Sequence, residues 1–328
     1  MKVLMFSSDP KLREEVSGVA RRIQKYRDRL EKLDIILLDR SRGRFLRFFR
    51  GYFEARRILA EGRFDVISAQ EPEHWFLAWL LSRKFKIPWQ MQIHTDIMSP
   101  YFVKHSVFNF FRRMLAKFLI PRANCVRVVS ERIKKSIKRP DAVVLPIFSA
   151  RKDDGGINVK ERYPGYDFYI LMASRLTREK NIPLAIDAVR EIKGALLIIV
   201  GAGPMKGVDS ENVKWEGWRE NLSGYYQSSD CFLLTSDYEG YGMAAAEALQ
   251  YGLPVVMTDV GIAGEIVKNG ENGLVVPVGD KDALVRALEK MRENPLKPAP
   301  LKIQTEEEYL RLYVESLKTC AKNAKTKK

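Results

Sequence analysis

Residues 231–279 read CFLLTSDYEGYGMAAAEALQYGLPVVMTDVGIAGEIVKNGENGLVVPVG. The apolar run Cys231-Phe232-Leu233-Leu234 predicts a buried strand ending at Thr235-Ser236. Met243 to Leu249 is built from strong helix formers, Gly252-Leu253-Pro254 stops that helix, and Val255-Val256-Met257 starts another strand. Two carboxylates, Glu239 and Glu247, stand with seven residues between them. Glu239 therefore falls in the loop at a strand's carboxyl end, and Glu247 about two turns into the following helix. In an open α/β sheet, ligands bind at that edge. Gly240 and Gly242 bracket Tyr241, so a ligand can approach main-chain N–H groups at a helix N-terminus, a favourable place for phosphate. Taken singly, Glu247 also reads as a solvated helix residue, and Glu239 as a charge complementing the helix dipole.

The whole stretch resembles the donor-site signature of the retaining glycosyltransferases of family 4. The two spaced glutamates, the Glu239-Gly240-Tyr241-Gly242-Met243 turn, Gly252-Leu-Pro-Val-Val256, Asp259-Val-Gly261, Glu265-Ile-Val267 and Asn272-Gly-Leu-Val-Val-Pro277 stand in that family's order. The resemblance implies an α/β GT-B fold, two Rossmann-like parallel-sheet domains facing a central cleft. It also implies a UDP- or GDP-sugar as donor, no further cofactor and no bound metal. Glu247 is then expected on the ribose hydroxyls, and Glu239 with the main chain of Gly240, Tyr241, Gly242 and Met243 around the sugar.

The segment Ser174-Arg175-Leu-Thr-Arg-Glu-Lys180-Asn181 follows a strand and opens a helix, and it too is similar to a family motif. Arg175 can grip a diphosphate in a fork, with Lys180 as a compact point charge. Ala195 to Val200 is a wholly apolar strand, as in a buried parallel sheet. The Gly201-Ala-Gly203-Pro-Met-Lys206 turn after it lacks the third glycine of a dinucleotide fingerprint, which disfavours a nicotinamide cofactor. Trp218, in a stretch resembling the family's base pocket, stacks on the nucleobase or sits in the core. Asp280-Lys281-Asp282 reads as a helix cap rather than a metal site.

A chain of 328 residues with 46% hydrophobic content has room for two ordinary domains. No apolar run is long enough to span a membrane, and the first residues read as a strand rather than a signal peptide. Cys125, Cys231 and Cys320 are widely spaced, form no metal pattern and cannot all pair, so a reducing cytoplasm is the simplest expectation. The net charge of +15 is lopsided: residues 1–150 carry +16 and residues 151–328 carry −1. Such a basic half faces something anionic and extended, either a phospholipid surface or nucleic acid. No nucleic-acid-binding motif appears, which disfavours the second.

In that half, residues 2–6, 34–38, 64–69 and 87–96 are strand candidates alternating with helices. Gly18 marks a turn where the family has a glycine-rich loop approaching the donor, and serves there or as an ordinary flexible residue. Two basic amphipathic helices are predicted, over 42–57 and 107–122. Phe45, Phe48, Phe49, Tyr52 and Phe53 make the apolar face of the first, with Arg42, Arg47, Arg50, Arg56 and Arg57 around it. Val107, Phe110, Phe111, Met114, Leu115, Phe118 and Leu119 make that of the second, flanked by Arg112, Arg113, Lys117 and Arg122. Either these faces pack on the sheet with the cations solvated, or they lie in a membrane interface. His94 follows a strand where the family has a histidine facing the donor and acceptor, and is expected to act there uncharged. His74 and His105 have no such support, and no spacing suits zinc.

The expected division is an acceptor-binding, membrane-facing domain over 1–150, a donor-binding domain over 151–305, and a helix with a Lys-rich tail over 306–328 that returns towards the first. The activity expected is transfer of a sugar to a lipid-linked glycan or glycolipid at the cytoplasmic face of the membrane, by a peripheral protein. His94, Arg175, Lys180 and Glu239 are its expected catalytic residues, and Arg47, Arg50, Arg112, Arg113 and Lys117 its membrane or acceptor contacts. A nucleotide-sugar epimerase or hydrolase of the same fold, and a basic binding module with a degenerate donor site, are the alternatives.

Overall fold

The computed structural model describes residues 1–14, 17–38, 44–151 and 155–326. Arg42 and the side chain of Phe45, counted above in the first amphipathic helix, lie outside that description. The chain divides into two compact units. One comprises Met1–Met98, Ser106–Pro146 and Thr305–Lys328, the other Ser99–His105 and Ile147–Gln304.

In the first unit the strands are β1 (Lys2–Ser7), β2 (Lys32–Leu37), β3 (Val66–Ala69), β4 (Trp89–Ile93), β5 (Cys125–Val128) and β6 (Val143–Val144). Between them run α1 (Gly18–Arg27), α2 (Arg44–Glu61), α3 (Pro72–Phe85), α4 (Val107–Leu119) and α5 (Glu131–Ser136). All strand pairs are parallel, in the order β2-β1-β3-β4-β5-β6. The chain steps outward from β1 to β2 and then returns across β1 to β3. The carboxyl ends of β1 and β3 therefore flank a crevice that no connection covers.

The second unit repeats the scheme. It contains α6 (Val159–Arg162), β7 (Phe168–Ala173), α7 (Ile182–Val189), β8 (Ala195–Val200), β9 (Val213–Gly217), α8 (Ser223–Ser228), β10 (Cys231–Leu234), α9 (Met243–Gln250), β11 (Val255–Thr258), β12 (Gly273–Val276) and α10 (Lys281–Glu293). The parallel order is β12-β11-β10-β7-β8-β9, with its switch point between β7 and β10. Every residue of β7 and β8 is buried because the sheet is covered on both faces. Phe168, Ile170 and Met172 point into one core, and Tyr169, Leu171 and Ala173 into the other. Two parallel-sheet units of Rossmann type are what the sequence predicted.

The two amphipathic helices do not use their aromatic faces to cover the sheet. In α2 the inward residues are Gly51, Ala55 and Leu59, one turn apart. A Cβ on Gly51 would run into Leu38, so the absent side chain lets the helix lie close to β2. Phe49 and Phe53 are each 58% exposed, and Leu46 70%. In α4 the buried residues are Ala116 and Leu119, while Val107, Phe108, Phe110, Phe111, Met114 and Phe118 are all exposed.

The C-terminal helix, Glu306–Thr326, packs on the first unit. Tyr309 and Tyr26 share a hydrogen bond of 2.8 Å, and Tyr313 stacks on Tyr26 with ring centroids 4.3 Å apart. Gln92 reaches both Ser68 (2.6 Å) and Tyr313 (3.2 Å), and the buried Arg127 donates to Gln92 at 2.9 Å. Cys125 on β5 is disulfide-bonded to Cys320 on this helix, with Cα atoms 5.5 Å apart, and Cys231 is free and buried. The two cysteines are 195 residues apart, and only the tertiary fold brings them together. A link closing so long a loop is worth about 2–4 kcal/mol to the folded unit. Cys320→Ser and treatment with a reductant should therefore each lower the denaturant midpoint, and the reductant should have no further effect on the variant.

Candidate active site

The second unit's switch point gathers the residues singled out from its sequence. Arg175 follows β7 directly, and Lys180 closes a short 3-10 turn (Arg178–Lys180) before α7. Glu239 comes from the loop after β10, and Gly242 is the N-cap of α9. The ammonium of Lys180 hydrogen-bonds Glu239 Oε1, and both side chains are nearly buried, 11% and 13% exposed. Ser236 Oγ donates to the same oxygen at 2.9 Å, and Thr235 Oγ1 donates to the Lys180 carbonyl at 2.9 Å. The buried pair is thus tied to both strands that form the crevice.

Arg175 is different: its side chain is 75% exposed, and among the described residues it pairs with the rim carboxylate Glu179, at 3.2 Å. Burial opposes the charge of Glu179, but hydrogen bonds from Thr177 and the residue's own backbone, with Arg175 and Lys180 nearby, hold its carboxyl below the usual range. At that exposed position the guanidinium offers its fork to an anion.

No side chain caps the first turn of α9, which begins at Met243. The loop Gly240-Tyr241-Gly242 leading into it is held by the Ile262 N–H donating to the Tyr241 carbonyl at 2.8 Å. Gly261 makes that contact possible: its φ is +53°, and a Cβ there would collide with the Tyr241 carbonyl. Burial, reinforced by Glu265, pushes the Tyr241 hydroxyl up to about 12, so it remains a neutral donor. The uncapped N-terminus of α9, which follows the loop carrying the Lys180 partner Glu239, and the exposed fork of Arg175 together can receive a phosphate-bearing ligand.

Glu247, on α9, accepts from Ser149 Oγ at 2.6 Å and from the Tyr226 hydroxyl at 3.1 Å. Trp218 lies just beyond β9 and is 62% exposed, so it is not a core residue. The turn before it is clamped by the buried Glu216 carboxylate, which takes Arg162 at 2.8 Å and Arg219 at 2.7 Å. Asp280 caps α10 by accepting from the Ala283 N–H.

Several participants carried no sequence signal. Ser149 is 98 residues from Glu247, and nothing around it marks it as a partner. His105 was set aside, yet its Nε2 lies 2.8 Å from Asp237 Oδ2, two residues before Glu239. Asn181 donates to the other oxygen of Asp237 at 3.1 Å, and Phe102 packs edge-on against Tyr238. The segment 99–105 thus braces the loop that carries Glu239.

The remaining candidates belong to the first unit. Gly18 opens α1 with room for a Cβ, so its geometry does not demand glycine. Arg50 and Lys117 are exposed and Arg47 half-buried. Arg112 is turned inward onto Glu73, at 2.6 Å, and Arg113 is half-buried with its Nε lacking a partner. Among the described residues no cluster of His, Cys, Asp and Glu has the makings of a metal site.

His94 follows β4. The residue is half-buried, but both ring nitrogens are buried and have no hydrogen-bond partner. Burial first, then the Arg127 and Arg22 charges, lowers its pKa to about 3, so the imidazole is neutral at any working pH. Between the ordinary value of about 6.5 and 3, the unfolded chain binds a proton that the folded unit refuses. Stability is therefore full above pH 6.5 and falls as the pH drops towards 3. Between pH 7.5 and pH 5 the urea midpoint of the wild type should fall more than that of His94→Asn, the difference amounting to about 1–2 kcal/mol. Parallel acid slopes would contradict the buried neutral state.

The chain matches the family model described as "Glycosyl transferases group 1" over residues 155–308, and that of the "Glycosyl transferase 4-like domain" over residues 10–143. It is 27% identical over 206 residues to the lipopolysaccharide core biosynthesis mannosyltransferase LpsB of Rhizobium meliloti, covering 52% of this chain and 56% of that protein. It is 26% identical over 174 residues to the UDP-Gal:alpha-D-GlcNAc-diphosphoundecaprenol alpha-1,3-galactosyltransferase of Escherichia coli, covering 47% and 44%. The alignments span between about a third and just over half of such relatives' own length, 35% to 56%. Among solved structures, Anabaena HepE in complex with UDP and glucose superposes with a TM-score of 0.70 at 19% identity, covering 99% of this chain and 94% of that one. With a GT-B neighbour of nearly equal extent and two family models that together take in most of its length, the chain belongs to the group 1 glycosyl transferases, with family-4-type domains in the GT-B fold.

Proposed function

We propose that the protein moves a sugar from a nucleotide diphosphate donor to a lipid-linked glycan or glycolipid at the cytoplasmic face of a membrane, with retention of anomeric configuration. The observation that carries this reading is the convergence of Lys180, Glu239 and the uncapped α9 N-terminus at one sheet switch point, with Arg175 at its rim. In this reading the diphosphate lies against the α9 N-terminus and Lys180, and Arg175 closes on it. Glu247 takes the ribose hydroxyls and Trp218 the base. Glu239 and the 240–243 main chain orient the sugar. The bond between the anomeric carbon and the diphosphate oxygen breaks, an acceptor oxygen bonds to that carbon from the same face, and the acceptor proton passes to the leaving phosphate. Fixed positive charge beside the departing oxygen, from Lys180, Arg175 and the helix end, stabilises the transition state without a metal ion. His94, neutral, serves as a hydrogen-bonding group towards the acceptor.

A UDP-sugar is favoured because HepE is described with UDP and glucose, and the E. coli relative is named for UDP-Gal. That relative's name also supplies the acceptor class, a sugar on diphosphoundecaprenol. Titration with UDP-, GDP- and ADP-sugars should raise the melting temperature selectively for one base. Arg175→Ala, at an exposed position, should fold normally and lose about 100-fold in transfer rate. Stabilisation by no nucleotide sugar would favour a degenerate donor site, and donor turnover without acceptor would favour an epimerase or hydrolase.

Membrane contact is assigned to the aromatic faces of α2 and α4. Exposed Phe49, Phe53, Phe110 and Phe111 stand beside Arg50 and Lys117, the combination that binds an anionic lipid interface. No helix among the described residues is long and apolar enough to cross a membrane. Phe110→Ser with Phe111→Ser and Lys117→Glu should abolish sedimentation with anionic phospholipid vesicles and leave the melting temperature unchanged. Undiminished sedimentation would remove α4 from the contact.

A further inference from the structure

A short stretch from the first half of the sequence, Ser99–His105, belongs to the second unit, although the chain on either side of it belongs to the first. It ends in a 3-10 turn, Phe102–His105, and both ends of that turn meet the loop between β10 and α9. His105 Nε2 lies 2.8 Å from Asp237 Oδ2. The rings of Phe102 and His105 stand edge-on to Tyr238, with centroids 5.3 and 5.4 Å away. Glu239 follows Tyr238 directly.

The loop is fastened on its other side to residues 179–181. The Asp237 N–H donates to the Glu179 carbonyl at 2.8 Å, and Thr235 Oγ1 lies 2.9 and 3.0 Å from the Lys180 and Asn181 carbonyls. Asn181 is the N-cap of α7, yet its side chain makes no capping bond and donates to Asp237 Oδ1 at 3.1 Å instead. An unmade cap costs a helix stability, so the hold on Asp237 comes at the expense of α7. His105 supplies the donor to the other oxygen of the same carboxylate. Facing a carboxylate, Nε2 carries the proton, and Nδ1 is left buried with no hydrogen-bond partner. A phenylalanine would fill the same space and keep the edge contact with Tyr238 without stranding a nitrogen. What the imidazole adds is the bond to Asp237.

We propose that His105 is a positioning residue for the transferred sugar: by fixing Asp237 and Tyr238 it sets the place from which Glu239 reaches that sugar. The sugar contact of Glu239 rests on the transferase reading above, whereas the brace on the loop does not. In that reading Trp218, Glu247, Arg175, Lys180 and the α9 N-terminus hold the base, ribose and diphosphate. The turn into α9 has an anchor of its own, the Ile262 N–H on the Tyr241 carbonyl at 2.8 Å. His105 acts instead on the residues just before Glu239. Its loss therefore separates the two halves of the donor, weakening the hold on the sugar and sparing the nucleotide.

Two substitutions separate the bond from the packing. His105→Phe keeps a ring against Tyr238 and removes the donor, and His105→Gln carries an amide N–H at the reach of Nε2. In ligand-free protein, hydrogen exchange over residues 236–242, followed by mass spectrometry, should quicken at least about tenfold in His105→Phe. It should stay near the wild-type rate in His105→Gln, and exchange in β7 and β8 should be the same in all three proteins. Titration calorimetry then uses UDP, UDP-glucose and UDP-galactose. His105→Phe should bind UDP as the wild type does and the better-bound UDP-sugar at least about fivefold more weakly, a loss that His105→Gln restores. Equal exchange over 236–242 in the three proteins overturns the proposal. So does equal weakening of UDP and UDP-sugar, or a wild type that prefers neither UDP-sugar to UDP. A loosened loop in a protein that binds none of the three would uphold the brace and count against the transferase reading, on which the sugar role depends.

Discussion

Each sheet is entered in its middle, and the sites follow from that constraint. A parallel strand needs a crossover to reach its neighbour, and right-handed crossovers laid to either side of the first strand leave its carboxyl end uncovered. In the second unit the first strand is β7, and the residues just past it and past β10 meet as Arg175, Lys180 and Glu239. In the first unit it is β1, and the residues past it and past β3 meet as Ser8, Glu71 and Glu73 around a cavity. The chemistry differs because the side chains differ, but the vacancy is the same piece of geometry used twice.

What the sequence made legible is what depends on neighbours along the chain. The β10–α9 turn was readable because an apolar run, paired glycines and an alanine-rich helix are local signals, and they put Glu239 and Glu247 on the correct elements. Contacts across the fold were invisible. Ser149 on Glu247, His105 on Asp237 and Cys125 on Cys320 join positions 98, 132 and 195 residues apart, where no periodicity reaches. The pairing of Arg112 was invisible for a related reason. Flanking an apolar face, it looks like a solvated cation, and only the position of Glu73 on α3 shows that it faces inward.

The amphipathic helices show how a hydrophobic pattern can mislead about direction. Periodicity identifies an apolar face without saying what covers it. In α2 the sheet takes the narrow stripe Gly51, Ala55 and Leu59, where a missing side chain brings helix and strand together. The bulky aromatics are pushed to the flanks. Phe48 stacks against Phe76, Phe76 meets Trp79 at a tilt and Trp79 meets Phe118 edge-on, so α2, α3 and α4 carry one connected aromatic belt. Arg83 over Trp79 and Arg122 over Phe118 border it with positive charge. A belt of rings edged by guanidinium groups has an apolar body and a polar rim, the amphipathic build that suits a water–lipid boundary.

The Lys180–Glu239 pair carries the energetic logic of the proposed donor site. A nearly buried ion pair stabilises a fold little, because desolvating two charges offsets most of their attraction. Replacing it with apolar side chains would cost the fold little, so its value lies in the site. Glu239 holds Lys180 in place, and Ser236 and Thr235 fix the two backbones that carry them. Without a ligand the pair is nearly neutral, and no isolated buried cation has to be maintained. In the proposed mechanism, when a diphosphate arrives, Glu239 turns its second oxygen to a sugar hydroxyl while Lys180 faces the phosphate, and neither group crosses water to do so. In the same mechanism Arg175, exposed and paired with Glu179, supplies the charge that must move. In the proposed mechanism one cation is preorganised at the point where the bond breaks, and the other stands exposed at the rim where the donor enters and its product leaves.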